Sequence, residues 1–170
     1  VLGARVALGA LAWPTRGRFF PHADVGLDLS WEPFALAVRF GGHTRPTVRG
    51  ADYEVSGTIL EGGLALRVWL FDAMVGVGVS AQLRATLLEF RGAANDTGQE
   101  LRVFWIGGMG FELLSLPLRW SGWRFGPNLS VSIWPNPGRF LIRGEPVARE
   151  EYAELTLTWV AAWDGMGFDF

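Results

Sequence analysis

His22, Asp24 and Ser30 lie close together in the sequence, and His43 follows in the next patterned segment. A histidine with an acid and a hydroxyl is the set used for acyl transfer, in which the acid orients the imidazole and the imidazole takes the proton of the nucleophile. The intervening residues alternate between polar and apolar, which places all three on one face of a β-strand. Same-face neighbours on a strand stand about 7 Å apart. His22 and Asp24 therefore meet near one end of the strand, while Ser30 lies near the other and does not complete a local triad. His43, at the same end of the following strand, offers either a weak metal site or an acid–base pair with His22 and Asp24. A polar sheet face also supplies hydrogen-bonding partners to histidine without any chemistry, so no catalytic, cofactor-binding or metal-ligating residue is assigned.

A second group is the segment from Pro135 to Glu150, with Arg139, Arg143, Glu145, Arg149 and Glu150, and Glu151 beside it. It reads as a surface-recognition loop or as a solvated connection. Neither a Gly-rich phosphate loop nor a CxxC, HExxH or GxSxG motif is present, and the Gly62-Gly63 and Gly107-Gly108 pairs fall inside strand-like sequence, so no cofactor is expected. The net charge of -2 without a basic run argues against nucleic acid as a partner. Absence of cysteine excludes thiol redox chemistry.

The elements that carry these residues are strands. From His22 to Glu32 the residues Ala23, Val25, Leu27, Leu29 and Trp31 form one face, and His22, Asp24, Gly26, Asp28, Ser30 and Glu32 the other. From Val75 to Leu87 the odd positions are all apolar, opposite Gly76, Gly78, Ser80, Gln82, Arg84 and Thr86. This period of two is the strand signature, and the run is long against the roughly five or six residues of an ordinary soluble strand. The rule predicts strands at about 1–13, 20–32, 34–44, 52–71, 75–90, 100–113, 118–134 and 151–163 of one domain covering 1–170. Val1 to Trp13, with Arg5 in its middle, reads as mature strand rather than the tail of a signal peptide. In the fourth strand the polar set changes from Glu54, Ser56 and Thr58 to the opposite parity at Arg67, which predicts a bulge at Glu61-Gly62-Gly63. The short connections at Glu32-Pro33, Asp72 to Met74 and Leu114 to Pro117 fall at one rim. The longer ones, Arg45 to Ala51, Arg91 to Gln99 and Pro135 to Glu150, fall at the other.

No apolar run reaches the roughly 20 residues of a transmembrane helix, so a chain of this pattern crosses a bilayer with strands that close on themselves. The expected fold is all-β, an eight-stranded antiparallel up-and-down transmembrane β-barrel with its charge-free face toward lipid. Trp13, Phe20, Tyr53, Phe90, Trp134 and Tyr152 fall near one rim. Trp31, Phe34, Trp69, Phe71, Trp120, Trp123 and Trp163 fall near the other, as aromatic girdles would. The inner face sets Arg5, Arg39, Arg67, Arg84, Arg102 and Arg124 against Asp24, Asp28, Glu32, Glu54, Glu112 and Glu154. Inward glycines, Gly26, Gly76 and Gly78 among them, make room for the long side chains. Eight strands enclose little more than side chains, so this set predicts a polar, plugged interior. A soluble lipocalin-like ligand-binding barrel uses the same alternation with the polarity reversed and stands as an alternative.

In pattern, nearly the whole chain resembles the small outer-membrane β-barrel superfamily that includes the OmpA transmembrane domain and OmpX. The most local feature is the stretch Gly165-Met166-Gly167-Phe168-Asp169-Phe170, in which Gly165, Phe168 and Phe170 match the family's final-strand spacing. Trp159 and Trp163 have the other parity, so the match needs a bulge near Asp164-Gly165. The resemblance implies a bacterial outer-membrane location, contact with membrane lipid and insertion by the barrel-assembly machinery. It also implies a structural role or a surface ligand held by the loops, with a lipid-modifying enzyme, a deacylase or acyltransferase, as the alternative.

Overall fold

A strand that alternates apolar and polar side chains can be wetted on one face only, and the long alternating segments of this chain are all strands. The computed structural model describes residues 1–14, 17–49, 53–71, 74–92, 100–136, 139–142, 145–149 and 151–166. Six strands run antiparallel in sequence order: β1 (Leu2–Trp13), β2 (Arg18–Trp31), β3 (Phe34–Arg49), β4 (Tyr53–Leu70), β5 (Val75–Gly92) and β6 (Glu100–Ser115). A short β7 (Leu118–Trp120) prolongs β6, and β8 (Trp123–Ile133) returns beside both. A separate hairpin of β9 (Arg139–Ile142) and β10 (Glu145–Arg149) lies in the long connection before β11 (Ala153–Met166). β11 pairs with β8 on one side and β1 on the other, so eight staves close into a barrel and none is an edge strand.

Polarity decides between the two kinds of barrel. Leu8, Leu27, Phe40, Leu64, Trp105 and Leu157 project outward and are each more than half exposed, whereas Arg5, Arg67, Arg84 and Glu154 are buried inside the ring. A water-soluble lipocalin-like barrel has the reverse arrangement, and that alternative is overturned. Along β5 the outward positions stay apolar from Val75 to Leu87, longer than the roughly 9–11 residues a tilted strand needs to cross a bilayer. Outward charge enters above this band, at Glu54 and Glu89.

Three local expectations change. No bulge interrupts β4: Tyr53↔Gly92 to Leu70↔Val75 is one continuous register with β5. Odd positions face inward throughout, so Val55 and Ile59 are lumenal while Glu54, Ser56 and Thr58 face outward. The apparent change of phase arises because the upper part of the strand rises past the apolar band, where outward positions meet water. The bulge of this strand pair lies instead in β3, between Arg45 and Val48. The turn expected at Leu114 to Pro117 is also absent, since β6 and β7 form one stave with an extra residue between Leu114 and Leu118. The chain reverses at Ser121-Gly122, whose positive φ values of 49° and 81° suit a two-residue hairpin turn. Trp13, Phe20, Trp69 and Trp134 point into the lumen rather than to a girdle, each sharing the parity of an inward polar residue on its own strand or, for Trp134, on β8 just before it. The lower girdle keeps Trp31, Phe34, Phe71, Trp120, Trp123 and Trp163, all exposed. Tyr53 and Phe90 have side chains outside the described residues.

Near the end of β11 the expected bulge is present: the register with β1 shifts between Ala4↔Trp163 and Leu2↔Met166. A Cβ on Gly165 would lie 1.5 Å from the Leu2 carbonyl oxygen, so only glycine fits there. Phe168 and Phe170 lie outside the described residues.

A closed wall of this kind resists detergent until heated. Unboiled protein in dodecyl sulfate is expected to migrate differently from boiled protein, and the fold requires detergent or lipid for solubility. Identical migration before and after boiling, with a monodisperse sample in plain buffer, would contradict the outward placement of the apolar face.

Candidate functional site

The lumen is organised around two centres of opposite sign. In the lower one, Glu112 of β6 receives three guanidinium groups. Arg67 donates Nε and Nη2 to Oε1 at 3.0 and 2.8 Å, Arg39 Nη2 lies 2.6 Å from Oε2, and Arg5 Nη1 lies 3.9 Å from Oε2. Those arginines reach two further acids: Arg5 Nη2 donates to Asp24 Oδ1 at 3.2 Å, and Arg67 Nη1 lies 3.5 Å from Asp28 Oδ1. In the upper centre the cation is central, and Arg84 of β5 pairs with both Glu61 and Glu154. Glu154 also accepts the indole N–H of Trp13 at 2.8 Å and of Trp134 at 3.0 Å. The Arg84 guanidinium stacks on the Trp134 ring, 3.9 Å from its centroid.

Backbone register explains how such long side chains fit. Arg67, Gly78 and Glu112 occupy one row across β4, β5 and β6. Arg67 passes over the glycines to reach its partner. A Cβ on Gly78 would lie 3.0 Å from Glu112 Oε1, and one on Gly76 would lie 2.4 Å from Arg67 Cδ. Gly26 plays the same part between Arg5 and Arg39, and a Cβ on Gly108 would lie 2.4 Å from the Trp134 ring. Each of these inward glycines thus sits opposite a large residue on a neighbouring stave.

Apolar layers bound the charged middle. Leu11, Trp13 and Phe20 cluster toward the long-loop rim, and Trp69, Leu114, Leu116 and Val160 toward the short-turn rim. Trp69 holds Arg67 and Arg124 near its ring, at 5.2 and 4.9 Å from the centroid. Between the two charge centres is a polar cavity of about 50 Å³ lined by His22, Asp24, Arg39, Glu61, Gln82 and Asn128. That is room for a few water molecules. A wider vestibule of about 460 Å³, lined by Asp28, Trp31, Trp69, Arg119 and Arg124, opens at the short-turn mouth.

Of the residues singled out from sequence, His22 and His43 are brought together: they are register partners with ring centroids 6.2 Å apart. His22 Nε2 lies 3.7 Å from Asp24 Oδ2. Ser30 is at the opposite mouth, where its carbonyl accepts a hydrogen bond from the Val1 nitrogen at 2.8 Å, so no triad forms. Among the described residues no group of three His, Asp or Glu side chains is arranged to hold a metal ion. Glu54 leaves the inner set: it faces outward and pairs with Arg49 at 3.1 Å on the exposed surface. Glu32 lies in an exposed turn, and the side chain of Arg102 is outside the described residues. Glu61 takes the place of Glu54 in the network. Its parity with Arg67 marked it as inward, but the bulge expected at this position hid that signal.

No protein-family model matches the chain, and no curated protein sequence matches it. Solved structures do share its fold. A major outer membrane protein from Thermus thermophilus superposes with a TM-score of 0.62 at 14% identity, over 96% of this chain and 99% of that one. Neisserial surface protein A gives 0.57 at 7% identity, over 96% of both chains. Ail, the attachment invasion locus protein of Yersinia pestis, gives 0.57 at 7% identity, over 95% and 94%. The architecture is that of the small outer-membrane barrels.

Removing Arg84 strands two acids, one of them fully buried. Arg84→Ala is expected to cost about 3–5 kcal/mol in urea unfolding from detergent micelles. Glu54→Ala, at the exposed Arg49–Glu54 pair, should change stability by less than about 1 kcal/mol. Equal losses in the two variants would mean that the lumenal network does not hold the barrel together.

Proposed function

We propose that this protein is a bacterial outer-membrane barrel with a closed interior, acting as a structural wall element that presents its long-loop rim to partners outside. The observation that carries the closed interior is the succession along the bore of Trp69, the Glu112 centre, the Arg84 centre and the Leu11–Trp13–Phe20 layer, with a small polar cavity between the two centres. An ion passing along this axis would have to separate guanidinium from carboxylate groups in confinement, at several kcal/mol for each unpaired charge. An outer-membrane setting is supported by the shared fold, the charge-free outer band and the length asymmetry between the two sets of connections.

A surface-contact role is supported by where the chain is invested beyond the membrane. β4 and β5 rise past the apolar band, and the longest connection carries the extra β9–β10 hairpin. Arg139, Glu145 and Arg149 belong to this hairpin, and Arg143 and Glu150 of the same segment lie outside the described residues. Ail, which shares the fold, bears the name attachment invasion locus protein. The enzymatic alternative lacks support in the geometry, because Ser30 and His22 lie at opposite ends of β2.

Planar-bilayer recordings on the purified protein are expected to show no large steady conductance, and Glu112→Ala with Arg67→Ala should introduce measurable openings. A large stable conductance from the unaltered protein would overturn the closed interior.

A further inference from the structure

We infer that the outer wall holds a binding site for the acyl chain of a membrane lipid, in a lateral cleft between β2 and β3. The inference rests on the chain spanning a bilayer, and it adds a specific lipid position to the general apolar band.

The cleft follows from the pairing. The highest pair joining β2 to β3 is His22↔His43. Above it, among the described residues, Arg18 to Pro21 pair only with β1, and Thr44, Arg45, Val48 and Arg49 only with β4. Each of the two separated edges contains a proline, Pro21 in β2 and Pro46 in β3, and proline has no N–H to give to a neighbouring strand. The β3 bulge between Arg45 and Val48 lies in the same stretch.

Directly below the opening, one register row runs outward through Leu8, Ala23, Gly42 and Leu60. Two small residues between two leucines leave a trough, and with the opening above it forms a groove of about 470 Å³ on the outer wall. Its lower part is bounded by Leu8, Ala23 and Leu60, and its upper edge by the hydroxyls of Thr44 and Thr58. His22 and His43 stand behind it. Gly42 cannot take a side chain, because a Cβ there would lie 2.5 Å from the Ile59 carbonyl oxygen.

The occupant follows from this surface. The groove is in the lipid-facing wall at the level where outward side chains change from leucine to threonine, which is where acyl chains join their ester or amide linkages. At this boundary between hydrocarbon and headgroups the separated strand edges leave peptide groups that a lipid linkage can partner. An acyl chain in the trough, with its linkage between the threonines and the open strand edges, covers the apolar floor and offers hydrogen-bonding groups at the right height. A second copy of the chain could cover the trough but would bring a smooth barrel wall to an indented one.

The test is photo-crosslinking in phosphatidylcholine vesicles containing a small fraction of phosphatidylcholine with a diazirine on one acyl chain. Insertion is checked first by co-flotation with the vesicles and heat-modifiable migration, so failure to insert is distinguished from failure of the site. Crosslinks mapped by mass spectrometry are expected to be enriched at least threefold at residues 18–23 and 42–44 over other lipid-facing positions. Ala23→Trp, which fills the trough, should remove that enrichment. Ala81→Trp, on the lipid-facing side of β5, should leave it intact. Uniform labelling around the barrel, or protein–protein crosslinks at the groove in place of lipid adducts, would overturn the assignment. The map of the unaltered protein decides this even if Ala23→Trp does not fold.

Discussion

Hydrocarbon offers no partner to a peptide N–H or carbonyl, and most of the structure is a response to that constraint. It forces the sheet to close through β11 and β1, and closing eight strands leaves a narrow bore lined by side chains. Polar residues that alternate with the lipid-facing ones are thereby confined with each other. Their charges must be neutralised within the ring.

Neutralisation is achieved by two centres rather than by a row of independent pairs. One carboxylate, Glu112, gathers Arg5, Arg39 and Arg67, and one guanidinium, Arg84, gathers Glu61 and Glu154. Arginine suits both because its planar fork can serve two acceptors at once. The glycines opposite these side chains are the steric counterpart of the network: Gly76 and Gly78 clear the path of Arg67, and Gly108 accommodates Trp134. Packing and electrostatics are one arrangement here, since the indole groups of Trp13 and Trp134 both fill space and complete the bonding of Glu154.

The β2–β3 seam departs from the closure rule at its upper end, and it does so where two prolines remove donors. At that height the surroundings change from hydrocarbon to headgroups, so separation of the strands is less costly than it would be at mid-barrel. The same change of solvent explains the upper part of β4, where Glu54, Ser56 and Thr58 face outward without harm and Val55 and Ile59 occupy the lumen.

Alternation by itself determined most of the strands and set Arg5, Arg39, Arg67, Arg84 and Glu112 on the charged face of their staves, but a soluble barrel of reversed polarity has the same alternation, and that this face points inward was decided by the tertiary structure, which buries those side chains. Alternation also determined that His22 and His43 lie near the same rim and that Ser30 does not. Which arginine meets which acid was decided by tertiary structure, because partners such as Arg84 and Glu154 are brought together only when the ring closes and the registers of all the staves are set. The same holds for Trp13, Phe20, Trp69 and Trp134. Their parity already pointed inward, but the affinity of aromatic rings for membrane rims suggested a girdle, and only closure showed the Glu154 acceptor for the indole N–H groups of Trp13 and Trp134 and the partners of the Phe20 and Trp69 rings. Height relative to the membrane was the other hidden quantity: a polar residue facing outward above the apolar band and one facing inward below it look alike in sequence, and the reversal read into β4 came from that ambiguity.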